Sequence, residues 1–383
     1  MTVKLPPIIT HCYLMVTEFC PLRCEYCYIK NRHIMNEFPI EWMDKIKNMF
    51  TCSSKPRLIF FGGEPLVKKD LIKHIVEKYN DDFQFQVVTN GTVNFHEFMD
   101  EVYEPNRRKF DIQISWDGEI DTRNNFMNKE TYQSVYNDSI LPELQKGRIL
   151  VGRAVLNETS VKCFYETYLR FKEMNKKYMF GADFTIAHQL SFPESYHNDL
   201  RDNLKMIYDD FSNELQNEGR HWFPNMLLKT INNIWNNKSV ISCDVGNYVV
   251  IKPNGDVYPC TILSQVDDRF KMGNINTNIN TEVIETLKYE SSCQKDCPFK
   301  SICDGGCRYE RIKNFPSTWC SDICSHTCDI YKVMFEETKT FLDSLNDVQY
   351  KHLKKLVNDY DEWELCYCNN DHEDIDNQRR MSE

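Results

Sequence analysis

The chain has 383 residues, 41% of them hydrophobic and 13% aromatic, which is enough to bury cores in two or three domains and excludes wholesale disorder. Against 57 Asp and Glu, 46 Lys and Arg leave a net charge of −11 with no long basic run, so broad binding to nucleic-acid phosphates is disfavoured. There are 17 cysteines but no signal peptide in the opening residues, and no apolar run nears the ~18 residues of a membrane span; a cytoplasmic chain of this kind uses cysteine for metal, cluster or redox chemistry.

In chain order, β-branched and aromatic runs alternate with helix-periodic stretches. The expected strands are Ile8–Val16, Arg57–Phe61, Phe83–Thr89, Phe110–Trp116, Ile149–Leu156 and Tyr178–Ala187. Between them, one helical face carries Trp42, Met43, Ile46, Met49 and Phe50, and another Leu71, Ile72, Ile75 and Tyr79; two more run over Thr131–Gln145 and Val161–Met174. Strands that alternate with crossover helices form a parallel sheet. In βα barrels the chemistry gathers at the C-terminal strand ends. Four polar or Gly-rich segments fall there: Cys20–Cys27 after strand one, Gly62-Gly63-Glu64-Pro65 after strand two, Thr89-Asn90-Gly91-Thr92 after strand three and Ser115-Trp116-Asp117-Gly118 after strand four.

From residue 28 to 242 only two cysteines occur, and a cysteine-rich segment follows, so a boundary is expected near 190–240. Tyr248–Ile251 and Val257–Tyr258 read as strands around a Pro253-Asn254-Gly255-Asp256 turn, a hairpin that brings Cys243 and Cys260 towards one another. Cys293, Cys297, Cys303 and Cys307 follow, then Cys320, Cys324 and Cys328. Taken as bare spacings, this segment also fits a zinc-ribbon-like module. Cys12, Cys52 and Cys163 lie in or beside apolar stretches and read as packing residues, while Cys366 and Cys368 sit in a polar, acidic tail expected to be loosely ordered. No HExxH and no GxxxxGK[ST] occurs.

Cys20, Cys24 and Cys27 have C-x3-C-x2-C spacing, which offers three thiolates to a cubane iron–sulfur cluster and leaves one iron open to a substrate or cofactor. Structural zinc is the alternative on spacing alone, although neither His11 nor His33 completes a tetrahedral set. With Tyr26 before the third cysteine and Tyr28 after it, this segment resembles the signature of the radical S-adenosylmethionine (SAM) enzymes. Gly62-Gly63-Glu64-Pro65 is similar to that family's segment for the methionine amino group, and Ser115-Trp116-Asp117-Gly118 to its motif near the SAM carboxylate and ribose. The resemblance implies a [4Fe–4S] cluster on Cys20, Cys24 and Cys27, and SAM held by Tyr26, Gly62, Gly63, Glu64, Pro65, Asn90, Ser115, Asp117 and Arg153, with Arg123 a further candidate for its carboxylate. It also implies one-electron cleavage of SAM to a 5′-deoxyadenosyl radical that abstracts a substrate hydrogen.

The second cysteine segment resembles the SPASM domain, which binds two auxiliary [4Fe–4S] clusters. By that resemblance Cys243, Cys260 and Cys307 serve the first, and Cys293, Cys297, Cys303 and Cys328 the second. The x3 gap between Cys293 and Cys297 and the surplus Cys320 and Cys324 depart from the family pattern; either one of the surplus pair completes the first auxiliary cluster as an additional ligand, or that cluster keeps an open iron that binds substrate. The implied architecture is α/β: a partial (β/α)6 TIM-like barrel over 1–190, a helical linker over 191–240, the SPASM domain over 241–335 and a helical, acidic tail over 336–383. SPASM enzymes mostly modify peptides or proteins, with an external one-electron donor such as flavodoxin or ferredoxin. The chain is similar in layout to anaerobic sulfatase maturases, whose proposed base is an Asp directly after the second hairpin cysteine. Here that residue is Thr261. A maturase that crosslinks a ribosomally made peptide is therefore expected ahead of formylglycine formation. Its leader must bind the barrel, the SPASM domain or another protein, because the first strand begins near Ile8. A zinc-binding interaction protein is the alternative of another class.

Overall fold

A computed structural model describes residues 4–6, 8–35, 37–52, 54–118, 136–188, 192–237, 245–266, 268–288, 297–303, 307–309 and 325–369. Six strands come first: β1 (His11–Thr17), β2 (Arg57–Gly62), β3 (Gln84–Thr89), β4 (Phe110–Ser115), β5 (Val151–Leu156) and β6 (Gly181–Ile186). Each pairs in parallel with the next, so the chain must cross back between them. The crossovers carry α1 (Met43–Met49), α2 (Lys69–Tyr79), α3 (Phe95–Phe98), α4 (Leu141–Gln145) and α5 (Phe164–Tyr178). This is the partial barrel the sequence implies. Four strand starts fall later than expected, two of them, β1 and β6, by three residues. Ile9 is held in a turn by its N–H to the Pro6 carbonyl (2.9 Å), and Tyr178 is the last residue of α5, where Met179 takes a left-handed φ of 56° and donates to Asn175 O. In both places an aromatic or branched residue reads as strand, but the local backbone hydrogen bonds decide otherwise.

Strand alternation divides the barrel's two faces. Phe60, Phe85 and Phe110, on three adjacent strands, stack outward with ring centroids 5.7–6.2 Å apart. They pack in one core with Ile72, Ile75 and Val76 of α2. The opposite face turns Phe61, Val88, Gln113, Ser115, Arg153 and Thr185 into a central cavity.

The hairpin of the second segment is joined to this sheet. β7 (Tyr248–Ile251) pairs in parallel with β1, His11 opposite Tyr248, then antiparallel with β8 (Asp256–Tyr258), which pairs with β9 (Gly273–Asn274). The sheet order is β6-β5-β4-β3-β2-β1-β7-β8-β9. β1 would otherwise present an unpaired edge, and β7 satisfies its backbone groups. The turn has the expected residues: Gly255 adopts φ +84° and donates to Lys252 O at 2.9 Å. Lys252 also reaches Glu18 (3.2 Å), which ties the hairpin to the loop entering the first cysteines.

Further helices are α6 (Glu194–Glu214), α7 (Asn225–Trp235), α8 (Leu263–Val266), α9 (Glu282–Lys288), α10 (Ser325–Ser344) and α11 (Asp347–Asn369). α10 returns to α6, where Tyr208 shares a hydrogen bond with Thr338 (2.6 Å) and stacks on Phe341. Cys366 and Cys368 lie within α11, whose earlier turns bury Leu353 and Val357. Among the described residues no helix is long and apolar enough to cross a membrane.

Candidate active site

The C-terminal ends of the parallel strands open onto a cavity of ≈ 400 Å³. Cys20, Cys24 and Cys27, on the loop after β1, line one wall, and Thr261 and Ile262, immediately after Cys260, contribute from the hairpin side. The cysteine loop is tied down by its own basic residues. Arg23 Nη1 donates to the carbonyls of Cys20 (2.5 Å) and Leu22 (2.8 Å), and Arg32 Nη1 to that of Cys24 (3.3 Å). Burial pushes the Cys20 thiol up to about 12, and the nearby Glu64 charge adds to it. Such a thiol ionises at neutral pH only when a metal displaces its proton.

The glycines after β2 are there because nothing larger fits. A Cβ on Gly62, whose φ is +146°, would meet Thr17 O at 2.1 Å, and one on Gly63 would meet Phe19 O at 2.2 Å. Both line the cavity. Glu64 and Pro65 do not. Glu64 is fully buried behind the wall, accepting from Leu66 N (3.0 Å), Thr89 Oγ1 (2.6 Å) and Asn90 N (2.8 Å), and Pro65 opens a buried turn at its side. Asn90 lines the cavity, with its Nδ2 3.6 Å from Cys20 Sγ.

Three residues of the motif that begins at the end of β4 make separate contacts. Ser115 faces the cavity, while Trp116 points the other way and stacks on Tyr136 at 4.6 Å. Asp117, also expected on the cofactor, is 1% exposed and absent from the lining: it accepts from Tyr26 Oη (2.6 Å) and Val155 N (3.0 Å), and so fixes Tyr26 in the cavity wall. Arg153 lines the cavity, with Nη2 3.3 Å from Asp183, and its buried Nε has no hydrogen-bond partner among the described residues. Arg123 lies outside the described residues.

Two features escaped the sequence reading. Tyr28, next to Cys27, makes a side-chain hydrogen bond with Thr261, next to Cys260, so the two cysteine loops are joined by hydroxyls; burial pushes the Tyr28 phenol well above its ordinary range. The only signal was that each residue follows a cysteine. His188, two residues past β6, lines the cavity, its ring 6.4 Å from that of Tyr309 in the cysteine-rich segment.

Cys260 is buried at 6% exposure; burial raises its thiol, and the charge of nearby Cys307 adds to the rise, so these two cysteines are neighbours. Cys297, Cys303 and Cys328 are half-buried, whereas Cys243, Cys293, Cys320 and Cys324 lie outside the described residues. Cys12 is fully buried on β1, Cys52 and Cys163 are half-buried, and none of the three lines the cavity. Among the described residues no three His, Cys, Asp or Glu side chains form a group that could hold a single metal ion. Cys20, Cys24 and Cys27 share one wall of the cavity, as three ligands of one cluster must.

Family models match two parts of the chain: the radical SAM superfamily over residues 14–135, and the SPASM iron–sulfur cluster-binding domain over 243–322. A cysteine-type anaerobic sulfatase-maturating enzyme of Clostridium novyi is 25% identical over 363 residues, covering 83% of this chain and 92% of that protein. The antilisterial bacteriocin subtilosin biosynthesis protein AlbA of Bacillus subtilis is 22% identical, covering 83% and 71%. The fold is shared with anSMEcpe solved with bound AdoMet and the Cp18Cys peptide (TM-score 0.64, 20% identity, 91% of this chain and 99% of that one). It is shared too with Streptococcus suis SuiB bound to its precursor peptide SuiA (TM-score 0.57, 15% identity, 81% and 74%). The two domains imply SAM, the [4Fe–4S] cluster that binds it and auxiliary [4Fe–4S] clusters, and the residues present fit them: the cysteine wall, the unpartnered buried Arg153 Nε and the neighbouring Cys260 and Cys307. The chain is a radical SAM enzyme that carries a SPASM domain.

Proposed function

We propose that this enzyme modifies a ribosomally made peptide, forming a crosslink, in the cavity between the barrel and the SPASM hairpin. The observation that carries the reading is that one cavity is lined both by Cys20, Cys24 and Cys27 and by Thr261 and Ile262 directly after Cys260. A substrate there lies between the SAM-binding cluster and an auxiliary one. When bound to its cluster, SAM supplies a one-electron cleavage whose carbon radical takes a hydrogen atom from the substrate.

This chain's own residues bind and orient. Cys20, Cys24 and Cys27 hold the first cluster. The Gly62–Gly63 backbone takes the SAM amino group, Arg153 its carboxylate through the unpartnered Nε, Ser115 the ribose, and Tyr26, fixed by Asp117, the adenine. Glu64 and Pro65 support that wall from behind. Cys243, Cys260 and Cys307 hold the first auxiliary cluster, with Cys320 or Cys324 available to complete it, and Cys293, Cys297, Cys303 and Cys328 hold the second. The barrel spans 1–190, the helical linker 191–240, the SPASM domain 241–335 and the tail 336–383. The site of action is the cytoplasm, where flavodoxin or ferredoxin supplies the electron.

Formylglycine formation is favoured by the sulfatase-maturating relative at 25% identity. It is opposed by Thr261, whose hydroxyl is already bonded to Tyr28 and is a poor proton acceptor where a carboxylate is wanted. Anaerobic incubation of the reduced enzyme and SAM with a short peptide encoded beside its gene, and separately with a Cys-containing sulfatase peptide, separates the two by mass spectrometry. Loss of two hydrogens from the former with the latter unchanged is expected; a formylglycine product from the sulfatase peptide contradicts the crosslinking reading.

A further inference from the structure

Asn90, 6% exposed at the end of β3, has an amide that can face only one way. Its Oδ1 accepts from Thr92 N (2.9 Å) and Thr92 Oγ1 (2.6 Å), so that atom must be the carbonyl oxygen, and Nδ2 is left on the opposite side, 3.6 Å from Cys20 Sγ. The backbone around it is equally fixed: Asn90 N donates to Glu64 Oε2, and Thr89 Oγ1 donates to Glu64 Oε1 while accepting from Gly91 N (3.0 Å). One residue therefore addresses two negative groups at once, its backbone N–H the buried Glu64 carboxylate and its side-chain N–H the sulfur of a cysteine ligand.

We infer that Asn90 is a positioning residue for electron entry, its amide N–H on Cys20 Sγ stabilising the reduced state of the cluster held by Cys20, Cys24 and Cys27. The inference rests on the proposed cluster and deepens it. Hydrogen bonds to cluster sulfurs are among the levers that set the reduction potential, and partners outside the ligand set tune a metal site strongly. The added electron spreads over the sulfurs, so a donor dipole aimed at one of them favours the reduced form. The effect is strengthened because the donor is buried. Nearby Glu64 pulls the other way, and its oxygens are occupied by three donors that damp this effect.

The test is a potentiometric titration of the anaerobically purified full chain without SAM, followed by electron paramagnetic resonance. The component missing from a Cys27→Ala variant identifies the cluster in question. Asn90→Asp keeps the Oδ1 turn with Thr92 but replaces the donor by an oxygen; Asn90→Ala removes both. At the potential where the wild-type cluster is half reduced, Asn90→Asp should lower the reduced-to-oxidised ratio about tenfold, equivalent to 59 mV for one electron. Asn90→Ala should lower it less, and both variants should keep wild-type iron. An unchanged potential at wild-type iron content overturns the inference, since a residue that touched only SAM would leave a SAM-free titration unmoved. Loss of iron in both variants overturns it too, because Asn90 would then be assembling the loop. A wild type with no component that Cys27→Ala removes defeats the cluster assignment itself, and the inference with it.

Discussion

Tyr26 and Asp117 are 91 positions apart in the chain, yet a 2.6 Å hydrogen bond makes them one unit of the cavity wall. A hydrogen bond to a charged acceptor contributes roughly 1.5–3 kcal/mol. Asp117→Ala should therefore weaken SAM binding about tenfold or more by freeing Tyr26, with iron content unchanged; equilibrium dialysis of SAM against the variant checks this, and wild-type affinity would show that Tyr26 needs no anchor. A second residue, His11, sets a pH dependence. Burial, with Arg57 beside it, lowers its pKa to about 4, while in the unfolded chain it titrates near 6.5. The unfolded state thus binds the proton first as pH falls, and stability that is complete above pH 6.5 is lost progressively down to about pH 4. Between pH 6.5 and 5 the loss is about 2 kcal/mol. Thermal unfolding of wild type and His11→Gln at both pH values should show the variant losing less; equal losses would refute the assignment. At this scale the sequence showed which motifs gather at the strand ends but not which of their members line the cavity. Glu64 and Asp117 carry charge and so read as ligands, whereas their hydrogen bonds to Thr89, Asn90, Tyr26 and Val155 come from residues distant in the chain.

The strands are where the sequence was most legible, because their alternation is local. Leu58 and Phe60, Phe85 and Val87, and Phe110, Ile112 and Ile114 recur every second residue, and all are buried. The Phe60–Phe85–Phe110 stack lies at the centre of this layer, so Phe85→Ala should cost roughly 3–5 kcal/mol by leaving a cavity that neighbouring rings cannot fill. Denaturant unfolding measures it; a loss under about 1 kcal/mol would mean the layer collapses into the gap. The hairpin's strands and turn were equally legible. Its partner was not: nothing in Tyr248–Ile251 says that these residues will lie alongside β1, because strand pairing between segments more than 200 residues apart depends on which edge is left open.

Across the whole molecule, that pairing has a consequence for chemistry. It brings the residue after Cys260 to the mouth of the barrel, where Thr261 meets Tyr28, so the two cysteine-bearing loops share a rigid sheet. The spacing of the cysteines could assign them to groups, but not show that Thr261 and Ile262, directly after Cys260, line the same cavity as Cys20, Cys24 and Cys27. An enzyme with three four-iron clusters should carry ~12 iron per chain, and Cys260→Ala should lose about four while the SAM-dependent cluster remains. Iron and sulfide analysis checks the count; zinc in place of iron would contradict it. The most direct measurement of the central claim is 5′-deoxyadenosine formed from SAM by the anaerobically reduced protein. Wild type should produce it and Cys20→Ala, Cys24→Ala and Cys27→Ala should not; equal production by the variants would show that these cysteines do not hold the cluster that cleaves SAM.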